Sequence, residues 1–222
     1  RRAGDLGGQA ECLEKMGDEI AAAQCWEKAG NLIRAAQNYE KSGELYKAWD
    51  LYCRAGDCQG EQRTWEILPP DMKIIEQLER DGHFGEAAEL AERAGLLERA
   101  VKLFERAAQP ARELDALLRF VASKPEEWAL RRQAELAHGL ERYPAEAEAW
   151  EKMQVYDKAA EAYRLAAQQL ESAQPGRKLE IVALYQRALA ACEQAGLDDL
   201  AEICRKRIIF LRRWPRVLLE GR

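Results

Sequence analysis

Two consecutive stretches of thirteen residues decide the fold: GNLIRAAQNYEKS at residues 30–42 and GELYKAWDLYCRA at residues 43–55. Counting each glycine as position zero, the first stretch places Leu32, Ala35 and Tyr39 at positions two, five and nine, with a second alanine at position six. Spacings of three, one and three bring side chains onto one face of an α-helix. Each stretch therefore predicts one amphipathic helix, with polar residues at positions four, seven and eleven on the opposite face.

The thirteen-residue unit recurs along the first half of the chain. Glycine stands at positions 4, 17, 30, 43 and 56, and the same register continues through Pro69, Gly82, Gly95 and Ala108. A glycine just past a helix end adopts the left-handed conformation without strain, and an acidic or amide residue after it caps the next helix. About eleven residues remain for a helix of roughly 16 Å, so the short turn predicts an antiparallel neighbour.

Composition supports a helical protein. The chain has 38 alanines but only 15 valine, isoleucine and threonine residues combined, and strands need these β-branched residues far more than helices do. A fold built on a sheet is therefore excluded. Apolar runs are much shorter than the roughly 20 residues that span a bilayer, and no signal peptide is visible. We expect a soluble protein without a transmembrane segment.

Two strings carry a family resemblance: AAQNYEKSG at residues 35–43 and AAELAERAG at residues 87–95. They resemble tetratricopeptide repeats, although the hairpin unit here is shorter than the about 34 residues of that family. They are more similar to the compact repeats of coatomer, intraflagellar-transport and soluble-attachment-protein solenoids. The resemblance implies a right-handed α-solenoid of antiparallel hairpins that binds other proteins and has no shared catalytic residues.

The periodicity divides the chain into four segments. Residues 1–108 hold the regular repeats, with a weak unit at 57–69 that we interpret as a degenerate repeat rather than a hinge. Residues 109–144 form irregular longer helices, and residues 145–213 contain degenerate repeats, with Gln154 in the glycine place, and a capping hairpin of longer helices. Residues 214–222 form a basic tail. Because the chain enters a repeat at once and lacks an initial methionine, we expect it to belong to a longer protein.

Residues that could carry chemistry are sparse. Six cysteines form no metal-binding motif with the two histidines, so we expect no metal site and no cofactor, and we predict buried thiols in a reducing cytoplasm. No phosphate-binding loop or nucleophile motif is present, and we expect a protein that is not an enzyme. His83 is expected at a helix start, and Glu146, Glu148 and Glu151 are interpreted as solvated surface charge.

The candidate partner-binding residues are polar positions of the repeats. If the first helix of each hairpin lines the binding surface, the row is Glu11, Arg34, Lys41, Glu86 and Arg93. If the second helix does, the row is Lys47, Asp50, Arg99 and Lys102. Tyr46 and Trp128 are either exposed anchors or, as we favour, buried.

A basic stretch closes the chain. Residues 205–222 contain seven basic side chains and one acid, whereas the whole chain carries a net charge of −5. The cations are candidates for contact with nucleic acid, phospholipid or an acidic protein segment: Arg205, Arg207, Arg212, Arg213 and Arg216. The alternative, which we favour, is a helix whose buried stripe comprises Cys204, Ile208, Ile209 and Leu211 and whose arginines form the wetted face.

These observations favour a non-catalytic protein–protein interaction module or scaffold within a larger multidomain protein. One alternative is the sensor arm of a signalling ATPase or a similar multidomain protein. A second alternative is contact with nucleic acid or a membrane through the basic tail, which the acidic balance of the whole chain makes less favourable.

Overall fold

The protein is an all-α structure. The computed structural model describes residues 3–213, and within that range the chain forms fourteen helices and no strand, which confirms the class predicted from composition. In chain order the helices are α1 (Ala3–Met16), α2 (Glu19–Lys28), α3 (Leu32–Lys41), α4 (Leu45–Ala55), α5 (Cys58–Ile67), α6 (Met72–Asp81), α7 (Phe84–Arg93), α8 (Leu97–Arg106), α9 (Pro110–Ser123), α10 (Glu127–Gly139), α11 (Tyr143–Lys152), α12 (Tyr156–Ala173), α13 (Lys178–Ala195) and α14 (Asp198–Arg213).

The described part of the chain divides into two compact units, at residues 3–74 and 75–213, and the division falls inside α6. In the first unit the helices from α1 to α5 pack in sequence, with contacts between α1 and α2, α2 and α3, α3 and α4, and α4 and α5. In the second unit the same neighbour-to-neighbour packing links α7 through α14. Sequential packing of short helices is what the thirteen-residue period predicts.

The repeating turns have the predicted left-handed residue. Gly30 and Gly43 have φ angles of 82° and 83°, which a side chain with a Cβ atom adopts only with strain. Gln154, predicted in the glycine place, has φ 60° and Ala108 has φ 52°, so the turn geometry survives where glycine is absent. Gly4 was expected to end a helix in the same register, but it lies inside α1, so this expectation is wrong.

The predicted apolar face forms the core. At positions five and six the side chains of Ala35, Ala36 and Ala48 are fully buried, and they let neighbouring helices approach closely. At position nine Tyr39 and Tyr52 are 4% and 1% exposed, and both belong to one buried cluster in the first unit. The alanines at positions five and six therefore set the distance between helices, and the aromatic residue at position nine fills the space between them.

The weak unit at residues 57–69 forms a helix, α5, but it turns a different face to the core. Gly60, Thr64 and Leu68 are buried at positions four, eight and twelve of the period, whereas α3 and α4 bury positions five, six, eight and nine. A Cβ atom built on Gly60 would lie 2.4 Å from Cδ1 of Tyr52, closer than side-chain atoms approach. Glycine is thus required here because α5 packs directly on that ring.

The last three helices share a buried core to which Ala147 of α11 also belongs. A cluster that includes Tyr163 of α12, Tyr185 of α13, and Cys204 and Ile208 of α14 is buried in the second unit. The sequence predicts the capping hairpin as helices over residues 178–195 and 197–213; α13 has these bounds, and α14 begins one residue later. These longer helices hold the groove described below.

Candidate functional site

A glutamate at the end of α3 joins three consecutive helices. Glu40 accepts a 2.8 Å hydrogen bond from the phenol of Tyr52 on α4 and two 2.8 Å hydrogen bonds from the guanidinium of Arg63 on α5. The bonds from Arg63 are the largest cause of the lowered pKa of Glu40, with a further contribution from Tyr52. Burial, followed by the nearby carboxylate, raises the pKa of Tyr52 to about 12. We call such an arrangement a glutamate bridge.

A second glutamate bridge lies at the start of the first unit. Glu14 of α1 accepts 2.7 Å hydrogen bonds from the indole Nε1 of Trp26 on α2 and from the amide Nδ2 of Asn38 on α3. The hydrogen bond from Asn38 is the main reason that the pKa of Glu14 is lowered. In both bridges the acid lies at position ten, and the ring that donates to it lies twelve residues later at position nine.

The second unit repeats the arrangement. Glu151 accepts hydrogen bonds of 2.5 Å from Tyr163 and 2.7 Å from Arg187. Burial would raise the pKa of Glu151, but these two bonds outweigh it and the pKa is lowered. Glu171 accepts hydrogen bonds from the phenol of Tyr185 at 3.2 Å and from Nε of Arg207 at 3.1 Å.

Arg34 and Lys47, two of the predicted partner-binding residues, rest on aromatic rings. The guanidinium of Arg34 lies 4.6 Å from the ring centroid of Trp26 and 3.2 Å from the carboxylate of Glu11. The ammonium of Lys47 lies 5.4 Å from the ring centroid of Tyr39. About half of each cationic side chain remains exposed, 47% for Arg34 and 52% for Lys47. Both therefore combine a structural contact with an accessible charge.

The other predicted cations divide between the two units. Lys41 is exposed in the last turn of α3, and Arg93 is exposed in the last turn of α7. Arg99 of α8 is less accessible because its guanidinium lies 2.7 Å from Glu79 of α6. Positive charge near a helix C-terminus is favourable, which accounts for the placement of Lys41 and Arg93.

The two aromatic candidates behave differently. Tyr46 is partly buried, and its ring centroid lies 5.9 Å from that of Trp49. Trp128, which we favoured as buried, is 39% exposed, so this prediction is wrong. Its ring packs 5.5 Å from that of Phe120, and its indole donates a 2.5 Å hydrogen bond to Glu126, so one face reaches the core while the other faces solvent.

The basic stretch at the end of the chain is helical up to Arg213. Arg205 lies 3.0 Å from Glu193, and Arg207 belongs to the Glu171 bridge, whereas Arg212 and Arg213 are exposed in the last turn of α14. Arg216 lies outside the described residues. The favoured reading of Arg205 and Arg207 as surface residues of a packed helix agrees with these ion pairs.

The predicted buried stripe of α14 is correct at three positions and wrong at one. Cys204, Ile208 and Leu211 are buried, but Ile209 is 51% exposed. Residues three, four and seven apart share a helix face, and Ile209 follows Ile208 by one position, so it points away from α13. Ile203 and Phe210 are also half-exposed, at 55% and 50%.

A groove of about 740 Å³ lies beside this exposed face. Tyr185 of α13 lies between walls that α12 and α14 provide, and the lining residues described are Arg164, Gln168, Glu171, Ser172, Tyr185, Ile203, Lys206, Arg207 and Phe210. A second groove of about 600 Å³ borders α12 and α13 elsewhere. Its two leucines, Leu170 and Leu184, pack against the core cluster and are only partly exposed. The groove along α14 therefore offers the more accessible apolar side chains.

Two further sequence expectations are wrong. Glu146 was interpreted as solvated charge, but it is 9% exposed, and its carboxylate lies 3.1 Å from Nδ1 of His138 and accepts a 3.4 Å hydrogen bond from Trp150. The thiols were expected to be buried, yet Cys12 and Cys58 are exposed. His83 does occupy the N-cap position of α7, without a side-chain capping hydrogen bond.

The described residues contain no cluster of metal ligands and no helix that could span a membrane. Between residues 3 and 213 no three histidine, cysteine, aspartate or glutamate side chains lie close enough together to hold a metal ion. None of the described helices has the length and apolarity required to cross a membrane. Comparison with protein families and with curated proteins finds no match to this chain.

Sequence reasoning missed both the glutamate bridges and the groove. The sequence does contain a pattern that could have predicted the bridges, since an aromatic residue at position nine and a glutamate at position ten recur with the period. The groove had none, because the exposure of Ile203 and Phe210 depends on how α14 turns against α13 and on what α12 leaves uncovered.

Proposed function

We propose that the chain is a non-catalytic protein–protein interaction module, built as a solenoid of short tetratricopeptide-like hairpins and working as a segment of a larger protein. The observation that carries this proposal is the half-exposed apolar face of α14, where Ile203 and Phe210 line a groove of about 740 Å³. Large apolar side chains that stay accessible beside a cleft are typical of protein-binding surfaces.

The glutamate bridges support the same proposal through preorganisation. Each bridge ties a helix to one or two others by hydrogen bonds to a charged group, as Glu40 does with Tyr52 and Arg63. A surface held in one geometry loses little conformational entropy when it binds, so more of the contact energy appears as affinity. Within each unit, exposed side chains such as Lys41 in the first and Arg93 in the second then stand on packed helices.

Affinity capture with matched variants tests this proposal. The tagged chain, a groove variant with Ile203→Asp and Phe210→Asp, and a row variant with Lys41→Glu and Arg93→Glu would be incubated with extract of the cells that encode the chain. Circular dichroism establishes that all three remain folded. We expect quantitative mass spectrometry to find at least one protein that the unmodified chain retains and that one of the variants loses tenfold or more.

Treatment of the extract distinguishes this function from the alternative through the basic tail. Nuclease digestion and detergent should leave the retained protein unchanged. Loss of all retained material after either treatment would contradict protein binding and favour nucleic acid or lipid. Retention of the same proteins by all three chains would also contradict the proposal, because it would show that no described surface selects a partner.

A further inference from the structure

The groove along α14 has an apolar line of defined length. Ile203 and Phe210 are seven residues apart on one helix, which separates them by about 10 Å along the helix axis at 1.5 Å per residue. Both are about half-exposed and both line the groove. An amphipathic helix presents its own apolar residues at the same interval, as in the helix-in-groove mode of recognition. The spacing therefore suits a helix better than an extended strand.

The charge of the groove indicates the charge of its occupant. The lining residues carry a net charge of +2, from Arg164, Lys206 and Arg207 against Glu171, and Arg164 is also ion-paired with Glu161 beside the groove. The following turn of α14 adds two exposed arginines and no acid. Lys206 is the most accessible of the lining cations, with a side chain that is 74% exposed, and its ion pair to Glu202 is 3.4 Å long. An acidic partner would thus be attracted by these cations, whereas a basic partner would be repelled.

The same charges disfavour two other occupants. A second copy placed symmetrically on this face would bring one cationic helix against another, because a two-fold interface joins the same patch on both chains. The sequence of residues 214–222 carries Arg216 and Arg222 against Glu220, so that segment is also basic. Neither offers the complementary charge that an acidic helix would.

We propose that the groove between α12 and α14 binds an acidic amphipathic helix of a partner protein. Ile203 and Phe210 would contact its apolar face, and Lys206 with Arg164 and Arg207 would contact flanking glutamate or aspartate side chains. This inference rests on the proposed function and adds the class of partner. Seven-residue anchor spacing and the net positive charge are the two features that select it.

A displayed peptide library tests the proposal. The library consists of 18-residue helical peptides with leucine fixed at three positions in an i, i+3, i+7 pattern and the other positions varied among glutamate, lysine and glutamine. Selection on the whole chain, with counter-selection on the Phe210→Asp variant, should enrich peptides rich in glutamate. Circular dichroism and thermal melting establish that Phe210→Asp leaves the helices folded.

Titration of the best enriched peptide, followed by fluorescence anisotropy, then measures how much individual groove residues contribute to the affinity. Ile203→Ala and Lys206→Glu should each weaken binding at least fivefold. Ile209→Ala is the matched control, since Ile209 lies on the same helix with a similar exposure but does not line the groove, and it should change the affinity less than twofold.

Four results of the peptide selection and titration would overturn the proposal. These are no enrichment over the Phe210→Asp counter-selection, enrichment of basic or neutral peptides, equal binding of an acidic peptide without leucines, and a rise in affinity of tenfold or more after deletion of residues 214–222. The last would assign the groove to that segment.

Two other measurements test different occupants. Light scattering that shows a dimer lost on Phe210→Asp would replace the proposal with self-association. Tighter binding to phosphatidylserine vesicles or single-stranded RNA than to the peptide would replace it with a different ligand. If peptides fail while captured proteins depend on Lys41 and Arg93, the proposed function stands and this inference does not.

Discussion

The phenol of Tyr52 donates a 2.8 Å hydrogen bond to Glu40, twelve residues earlier in the chain. Tyr52 is 1% exposed and fills the core at position nine, while Glu40 also accepts two hydrogen bonds from Arg63. One carboxylate thus connects a core side chain with a surface cation, and through them three successive helices. The polar side chains of this bridge are therefore held by specific contacts, as the buried apolar side chains are.

Removing the charge of Glu40 should destabilise the first unit. With Glu40→Gln the hydrogen bonds from Tyr52 and Arg63 lose their charged acceptor, and the free energy of unfolding should fall by about 1–2 kcal/mol. Glu11→Gln is the matched control, because Glu11 is 55% exposed and makes a single 3.2 Å ion pair with Arg34. Its effect should stay within about 0.5 kcal/mol. Urea denaturation followed by circular dichroism measures both, and equal effects would contradict the role of the bridge.

A methyl group at residue 60 should be tolerated poorly. The Cβ atom of Gly60→Ala would lie 2.4–2.6 Å from three ring atoms of Tyr52, so α5 or the ring must move, at a cost of about 1–3 kcal/mol. Gly8→Ala serves as the control, since Gly8 is exposed in α1 with no atom within 4 Å of the added methyl. That change should be neutral or stabilise by up to about 1 kcal/mol because alanine favours helix. Stabilisation by Gly60→Ala would show that the contact between α4 and α5 is wrong.

Substitution of Gln154, which stands in the glycine place of a later repeat, should stabilise the protein. Gln154 has φ 60°, so Gln154→Gly should relieve backbone strain and raise the free energy of unfolding by about 0.5–1 kcal/mol. The reverse change in a regular repeat, Gly43→Ala at φ 83°, should lower it by about 1 kcal/mol. Thermal melting of the two variants beside the unmodified chain tests the pair. Changes of the same sign would contradict the assigned turn geometry.

Alkaline pH should weaken the Glu40 bridge. The pKa of Tyr52 is raised from 10 to about 12, mainly by burial, so its neutral phenol contributes stability that is fully present below pH 10. That contribution is lost as the pH rises from 10 to about 12. The stability difference between the unmodified chain and Tyr52→Phe should therefore shrink over this interval, as measured by urea denaturation at each pH. A difference that stays constant up to pH 12 would contradict the raised pKa.

Much of the fold could be predicted because the period itself is a local signal. Ala35, Ala48 and Tyr39 fall at their predicted buried positions, and the left-handed turn at Gln154 follows from counting alone. Prediction failed where a residue depends on packing between distant helices. Gly60 is buried by the ring of Tyr52, and Glu146 is buried among side chains of neighbouring helices, neither of which the period encodes.

The candidate site was less predictable than the fold. Exposed cations such as Lys41 and Arg93 could be placed on the polar face from spacing alone. Arg207 and Ile209 could not, because the ion pair of the first and the exposure of the second depend on the rotation of α14 about its axis. A helix of this composition has two adjacent apolar stripes, and only tertiary packing decides which one is covered.

Titration calorimetry between the purified chain and a purified captured protein tests the proposed function most directly. We predict saturable binding with one-to-one stoichiometry, unchanged by nuclease, and weakened at least tenfold by Ile203→Asp with Phe210→Asp or by Lys41→Glu with Arg93→Glu in folded variants. Heats of binding that neither pair of substitutions reduces, or that vanish once nucleic acid and lipid are removed, would contradict the interpretation of this chain as a protein-binding helical module.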